Sequence, residues 1–165
     1  MIAWLKSLLQ RVGSFSVKVP IPAEKPLDLS EASRQWHKVN ASSFADTADV
    51  AAYRRCKARG KSDQECFKVG DNGIGFTGMD CSREDKPMCA LPVEVWAERW
   101  GKKINAAGRT VLVRYNGKVI AGVLGDTMPK LANIKNGCGI DLNPSFAKAL
   151  GLRPPFKVAV EWAWG

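Results

Sequence analysis

Gly125-Asp126-Thr127-Met128-Pro129, followed by Gly137-Cys138-Gly139-Ile140-Asp141-Leu142-Asn143-Pro144, is the stretch on which the fold turns. It sets two carboxylates fifteen positions apart (141 minus 126). Asp126 ends a short β-like run, Val119-Ile120-Ala121-Gly122-Val123-Leu124. Asp141 follows Ile140, and Asn143-Pro144 then opens a helical segment with proline near its first position. Small barrels place functional side chains at strand ends, and two carboxylates near one cleft can divide acid and base roles. Aspartates in such turns also cap helices or tie loops. The pair is expected to lie within about 10 Å and to open onto a groove.

Reading outward, Thr110-Val111-Leu112-Val113-Arg114-Tyr115, Asn116-Gly117 and Lys118-Val119-Ile120-Ala121 predict a β-hairpin with an Asn-Gly turn. Phe156, Val158, Val160, Trp162 and Trp164 alternate with their neighbours and predict a final strand with one buried face. A helix is expected over 144–150 and another over 92–100, with Val93, Trp96 and Trp100 packed on one face. Asp46-Thr47-Ala48-Asp49 leads into a helix that runs to about Arg59-Gly60. Ser62 to Phe67 reads as a short helix, with Ser62 and Glu65 forming a capping box. Leu29 to His37 reads as another short helix, with His37 on the surface. Residues 14–30 alternate and then carry Pro20, Pro22 and Pro26, which predicts an extended arm. Residues 1–13 space Ile2, Leu5, Leu8, Leu9 and Val12 as a helix. That helix is too short and too charged to span a bilayer and makes a poor signal peptide. It could dock on the barrel, lie on a membrane or pack on a partner chain.

The motifs Val-Leu-Gly-Asp-Thr-Met-Pro and Gly-Ile-Asp-Leu-Asn-Pro-Ser-Phe-Ala-Lys-Ala-Leu-Gly-Leu resemble the end of a double-psi β-barrel. Rare lipoprotein A domains carry a similar Asp-x-x-Pro and Ile-Asp-Leu-Ser, and expansins and related endoglucanases carry an Asp-Leu at the second position. The resemblance covers roughly residues 69 to 164. It implies a mainly β fold: a six-stranded double-psi barrel with short helices and a helical and extended N-terminal arm. It matches Asp126 to the Asp-x-x-Pro aspartate. Asp141 matches the Asp-Leu aspartate, which resembles the general acid of the endoglucanases and the essential aspartate of membrane-bound lytic transglycosylase A. Gly70-Asp71-Asn72-Gly73-Ile74-Gly75 becomes the first strand and its tight turn, which makes Asp71 a third candidate. Ala90-Leu91-Pro92 resembles the segment after the first psi-loop. The chain departs from rare lipoprotein A proteins at Met88, where they have a histidine three residues before that leucine, so their usual proton-handling partner is missing.

Charge sharpens the choice of partner. The 165 residues carry a net +9, of which residues 1–50, with 6 Lys/Arg and 5 Asp/Glu, hold only +1. The remaining +8 belongs to the expected barrel and attracts polyanions. No Arg/Lys cluster interleaves with aromatics as in single-strand binders, so nucleic acid is not the expected partner. An anionic wall polysaccharide such as peptidoglycan is. Of the five cysteines none forms Cys-x-x-Cys, and His37 is the only histidine, so neither a zinc site nor any other cofactor is expected. Cys56 with Cys66 and Cys81 with Cys89 could each close a short loop, but spacing alone does not establish pairing.

The expected organisation is an N-terminal helix and arm over 1–49, a helical lead-in over 50–68 and the barrel over 69–165. Three functions are open. The chain could cleave or remodel peptidoglycan by carboxylate acid/base chemistry, with Asp141 as acid and Asp126 or Asp71 as base or charge stabiliser. It could bind such a glycan without turning it over. It could instead be an assembly module meeting protein partners through residues 1–30, as in a phage particle or a secreted effector. The sequence leaves localisation open.

Overall fold

A computed structural model describes residues 34–165, so the expectations for residues 1–33 lie outside the described residues. Six strands close into a barrel in the order β1-β5-β2-β4-β3-β6. They are β1 (His37–Ser43), β2 (Met88–Pro92), β3 (Thr110–Tyr115), β4 (Lys118–Met128), β5 (Cys138–Leu142) and β6 (Lys157–Trp164). Helices α1 (Thr47–Ala58), α2 (Asp63–Cys66), α3 (Val93–Trp100), α4 (Lys103–Ala106) and α5 (Pro144–Leu150) fill the connections. Two pairings are parallel, β1 with β5 and β2 with β4, and the rest are antiparallel. The mainly β, six-stranded barrel with short helices is the expected fold.

Its first strand is not where the sequence placed it. Gly70–Gly75 forms no strand; it is a loop carrying only the isolated bridge Ile74–Asp80. The glycines there serve close approach. A Cβ on Gly75 would stand 2.0 Å from the Gly125 carbonyl oxygen, and Gly73 has φ 81°. The true first strand, β1, pairs with both β5 and β6. The barrel therefore begins at His37, inside the segment read as arm, and α1 and α2 are inserted between β1 and β2. Residues 34–36 are not helical, and His37 stacks on Trp162 with centroids 4.5 Å apart instead of standing free on the surface.

The hairpin forms as its turn chemistry requires. Asn116 and Gly117 take φ of 47° and 75° between β3 and β4, the two positive values that a type I′ turn needs. Inside the barrel pack Ala41, Cys89, Leu91, Val111, Val113, Leu124, Ile140, Leu142, Val160 and Trp162. Phe146 from α5 plugs this core and is fully buried. It reaches β4 only because Gly122 lacks a Cβ, which would sit 2.3 Å from the Phe146 ring. Trp96 of α3 packs on the same core, as its spacing predicts.

Both short helices before β2 start as the sequence indicates. Asp46 caps α1 by accepting from the Ala48 and Asp49 amides, at 2.8 and 3.1 Å. Ser62 and Glu65 complete the capping box of α2. A disulfide joins Cys56 to Cys66, while Cys81, Cys89 and Cys138 are buried free thiols. Of the two loop closures open to the sequence, only the first is made.

Candidate active site

Along β5 alternation turns Leu142 to the core and Asp141 outward, and along β4 the extra residue Gly125 turns Asp126 away from the core face that Leu124 occupies. Both aspartates stand opposite the same residue. Ala90 of β2 pairs with Asp126 of β4 on one side and with Asp141 of β5 on the other. Their backbones are thus two strand spacings apart, about 10 Å. In each parallel pair the register slips by one residue just before the carboxylate. Gly125 is the extra residue between Leu124 and Asp126, and Gly139 is the extra residue between Cys138 and Ile140. Such bulges re-aim the side chains that follow them. Glycine leaves the space at both: a Cβ on Gly139 would stand 2.7 Å from the Val39 side chain, and one on Gly125 would press on the Met88 side chain at 3.0 Å.

Asp71 reaches the same face from the glycine loop, where its carboxylate accepts the Gly73 amide at 2.7 Å. The loop lies against β4 through the contact of Gly75 with Gly125 and Cys81. Asp49, in the first turn of α1, is a fourth carboxylate of the group, and it raises the pKa of Asp141 together with Asp71 and Asp126. The sequence reading placed Asp49 only in a helix lead. No local signal marks it, since α1 reaches the site only because the chain between β1 and β2 folds back there.

Three of these carboxyls are displaced far upward. Burial, then the charges of Asp71, Asp126 and Asp49, push Asp141 up to about 6 against the opposing bond from Ser42. Burial, then Asp71, push Asp126 up to about 6, opposed by the Thr127 and Phe76 amides and by Lys103. Asp49 also rises to about 6 through burial and the charges of Asp46 and Asp71. Asp71 is raised by burial. Asp126 and Asp141 are both partly exposed.

The two main carboxyls are held differently. Asp126 accepts the Thr127 amide at 2.8 Å and the Phe76 amide, both of which favour its ionised form. Thr127 is fixed in turn by the Trp96 indole, which donates to its hydroxyl at 3.0 Å. Asp141 accepts from the Ser42 hydroxyl, a partner that the sequence reading missed because it lies 99 positions away. Met88, at the start of β2, is 2% exposed and brings no titratable group. Cys81 lies beside the group, but burial and the charges of Asp126, Asp71 and Asp80 push its thiol up to about 12, which makes it a poor nucleophile.

Asn143 frames the site from beneath. Fully buried, it accepts the Met88 and Phe146 amides and shares its two amide hydrogens among the carbonyls of Cys81, Arg83 and Lys86. One side chain so ties the start of β2, the start of α5 and the 81–87 loop together, two residues from Asp141. Three surface cavities of 530, 620 and 380 Å³ lie elsewhere, at the β3–β4 turn, beside α5 and beside the disulfide. None of the three is lined by Asp71, Asp126 or Asp141, so the expected groove at the carboxylates does not coincide with them. Among the described residues, no group of three or more His, Cys, Asp or Glu is arranged to hold a metal ion. No helix of the described residues is long and apolar enough to cross a membrane.

No family model matches the chain, and no curated protein matches it. Among solved structures it is similar to Streptomyces papain inhibitor (SPI), at 19% identity over 79% of this chain and 94% of that chain, with a TM-score of 0.46.

Proposed function

We propose that this protein cleaves a wall glycan of the peptidoglycan type, with Asp141 as general acid and Asp126 as its ionised partner. The observation that carries the reading is the placement of two outward carboxyls on either side of Ala90, both raised to about 6. Glycoside cleavage needs one carboxyl protonated and one ionised at the same pH, and coupled carboxyls supply that state near their shared pKa range. Asp141 suits the acid because the Ser42 hydroxyl is its donor and three neighbouring carboxylates disfavour its charge. Asp126 suits the ionised role because two amides and Lys103 favour its charge. The acid would protonate the leaving glycosidic oxygen. Asp126 would either activate water or stabilise positive charge on the sugar while its own 6-hydroxyl attacks, giving an anhydro product. Asp71 would tune both by its charge. The basic surface would concentrate an anionic polymer at the barrel, an attraction that weakens with salt. The resemblance to rare lipoprotein A, expansin and lytic transglycosylase A motifs at Asp126 and Asp141 supports the same chemistry.

Purified peptidoglycan incubated with the full chain and analysed by mass spectrometry separates hydrolysis, anhydro-product release and no turnover. Turnover that is lost in Asp141→Asn and falls as pH rises above about 6 supports the assignment. Release of no product between pH 4.5 and 7.5 refutes it. A second reading, a module that binds glycan or serves assembly without cleaving, is favoured by one observation: buried Met88 stands where the family has its histidine. Retention of the protein on insoluble wall material without product release is the result that reading expects.

A further inference from the structure

We infer that Ser42 is a positioning residue for Asp141, which keeps the acid's proton on Oδ2, the carboxyl oxygen that Ser42 does not engage. This rests on the reading of Asp141 as general acid. Ser42 and Asp141 are register partners across the parallel β1–β5 pair, so their side chains leave the same face of adjacent strands. The Ser42 hydroxyl donates to Asp141 Oδ1. A hydroxyl has one hydrogen, and its direction is settled by what else the oxygen does. Here the Asn136 amide nitrogen donates to Ser42 Oγ at 3.4 Å, which occupies a lone pair and leaves the hydrogen for Asp141. Asn136 is itself oriented, since its side-chain oxygen accepts the Cys138 amide at 3.0 Å. An Asn136–Ser42–Asp141 chain therefore runs in one direction.

Two consequences follow for Asp141. Its Oδ1 is committed as an acceptor in both protonation states, so a proton on this carboxyl resides on Oδ2. The bond is also stronger to the carboxylate than to the acid, and it opposes the rise that burial and the neighbouring charges cause. Ser42 thus directs the proton to Oδ2 and holds the group able to lose it near neutrality. Without Ser42, Asp141 would be a weaker acid with its proton free to sit on either oxygen.

The test follows the Asp141 carboxyl directly. Full-length protein labelled with 13C at aspartate carboxyls is titrated by NMR, and Asp141→Asn identifies the resonance. Ser42→Ala is expected to raise the Asp141 midpoint by about one pH unit, the size expected for a hydrogen bond to a charged group. Ser42→Thr, which keeps the hydroxyl, should restore the parent midpoint. Asn136→Ala, on an exposed side chain, should shift it in the same direction by less, and it carries the test if Ser42→Ala does not fold. An unchanged or lowered midpoint in the variant that folds overturns the inference. If the parent releases glycan product, the fall of rate at high pH should move up with the NMR midpoint in Ser42→Ala. If the parent releases none, the enzymatic reading fails while the titration still decides the role of Ser42.

Discussion

Replacing Asp141 by asparagine should stabilise the fold at neutral pH while removing the proposed acid. In the folded chain the carboxyl is pushed from 3.8 to about 6. A raised carboxyl contributes stability that is fully present below its unfolded pKa and is lost as pH rises through its folded pKa. The loss therefore develops between about pH 4 and pH 6, and at pH 7.5 the folded state carries the whole cost of an unwelcome charge. Two pH units correspond to about 3 kcal/mol. The side chain is partly open to solvent and shares its shift with Asp71, Asp126 and Asp49, so about 1–2 kcal/mol is the expected net gain. Asparagine is nearly isosteric and can still accept the Ser42 hydroxyl, so little is lost in exchange. For a domain of this size the gain corresponds to about 3–8 °C in Tm. Thermal and urea unfolding of parent and variant at pH 4 and pH 7.5 measure it. The stabilisation should be present at pH 7.5 and nearly absent at pH 4. An equal effect at both pH values, or a variant less stable at pH 7.5, would refute the assignment of Asp141 as a strained, burial-raised carboxyl.

Asn143→Ala should destabilise by about 3 kcal/mol or more, because it strands the Met88 and Phe146 amides and the Cys81 carbonyl in a buried place and releases the 81–87 loop; urea unfolding measures it. Gly75→Ala forces a methyl against the Gly125 carbonyl and should lower both Tm and glycan turnover, since the displaced loop carries Asp71 and the displaced strand carries Asp126. Reduction of Cys56–Cys66, which closes a separation of 10 residues, should cost about 2–3 kcal/mol in denaturant unfolding without changing the barrel's near-ultraviolet circular dichroism.

The sequence was sufficient wherever the cause of a structure is local. Asn116-Gly117 supports positive φ at two successive positions, so the hairpin was legible. Ser62 and Glu65 satisfy each other's amides, and Asn143-Pro144 opens α5, because capping involves only near neighbours. Alternation from Lys157 to Trp164 follows from one buried strand face. The glycine loop misled because glycine density marks equally a tight strand turn and a place where two backbones touch. Only the neighbour, the Gly125 carbonyl, shows that the second applies. His37–Ser43 was missed because its burial pattern is weak in sequence and its strand identity comes from pairing with β5 and β6. Asp71, Asp126 and Asp141 could be picked out by residue type and motif. Their shared surroundings could not, since register across β2, the slips at Gly125 and Gly139 and the return of α1 are long-range. Asp49 and Ser42 entered for the same reason. The carboxyl pKa values depend on burial and neighbouring charge, and those are properties of the closed barrel rather than of any stretch of its chain.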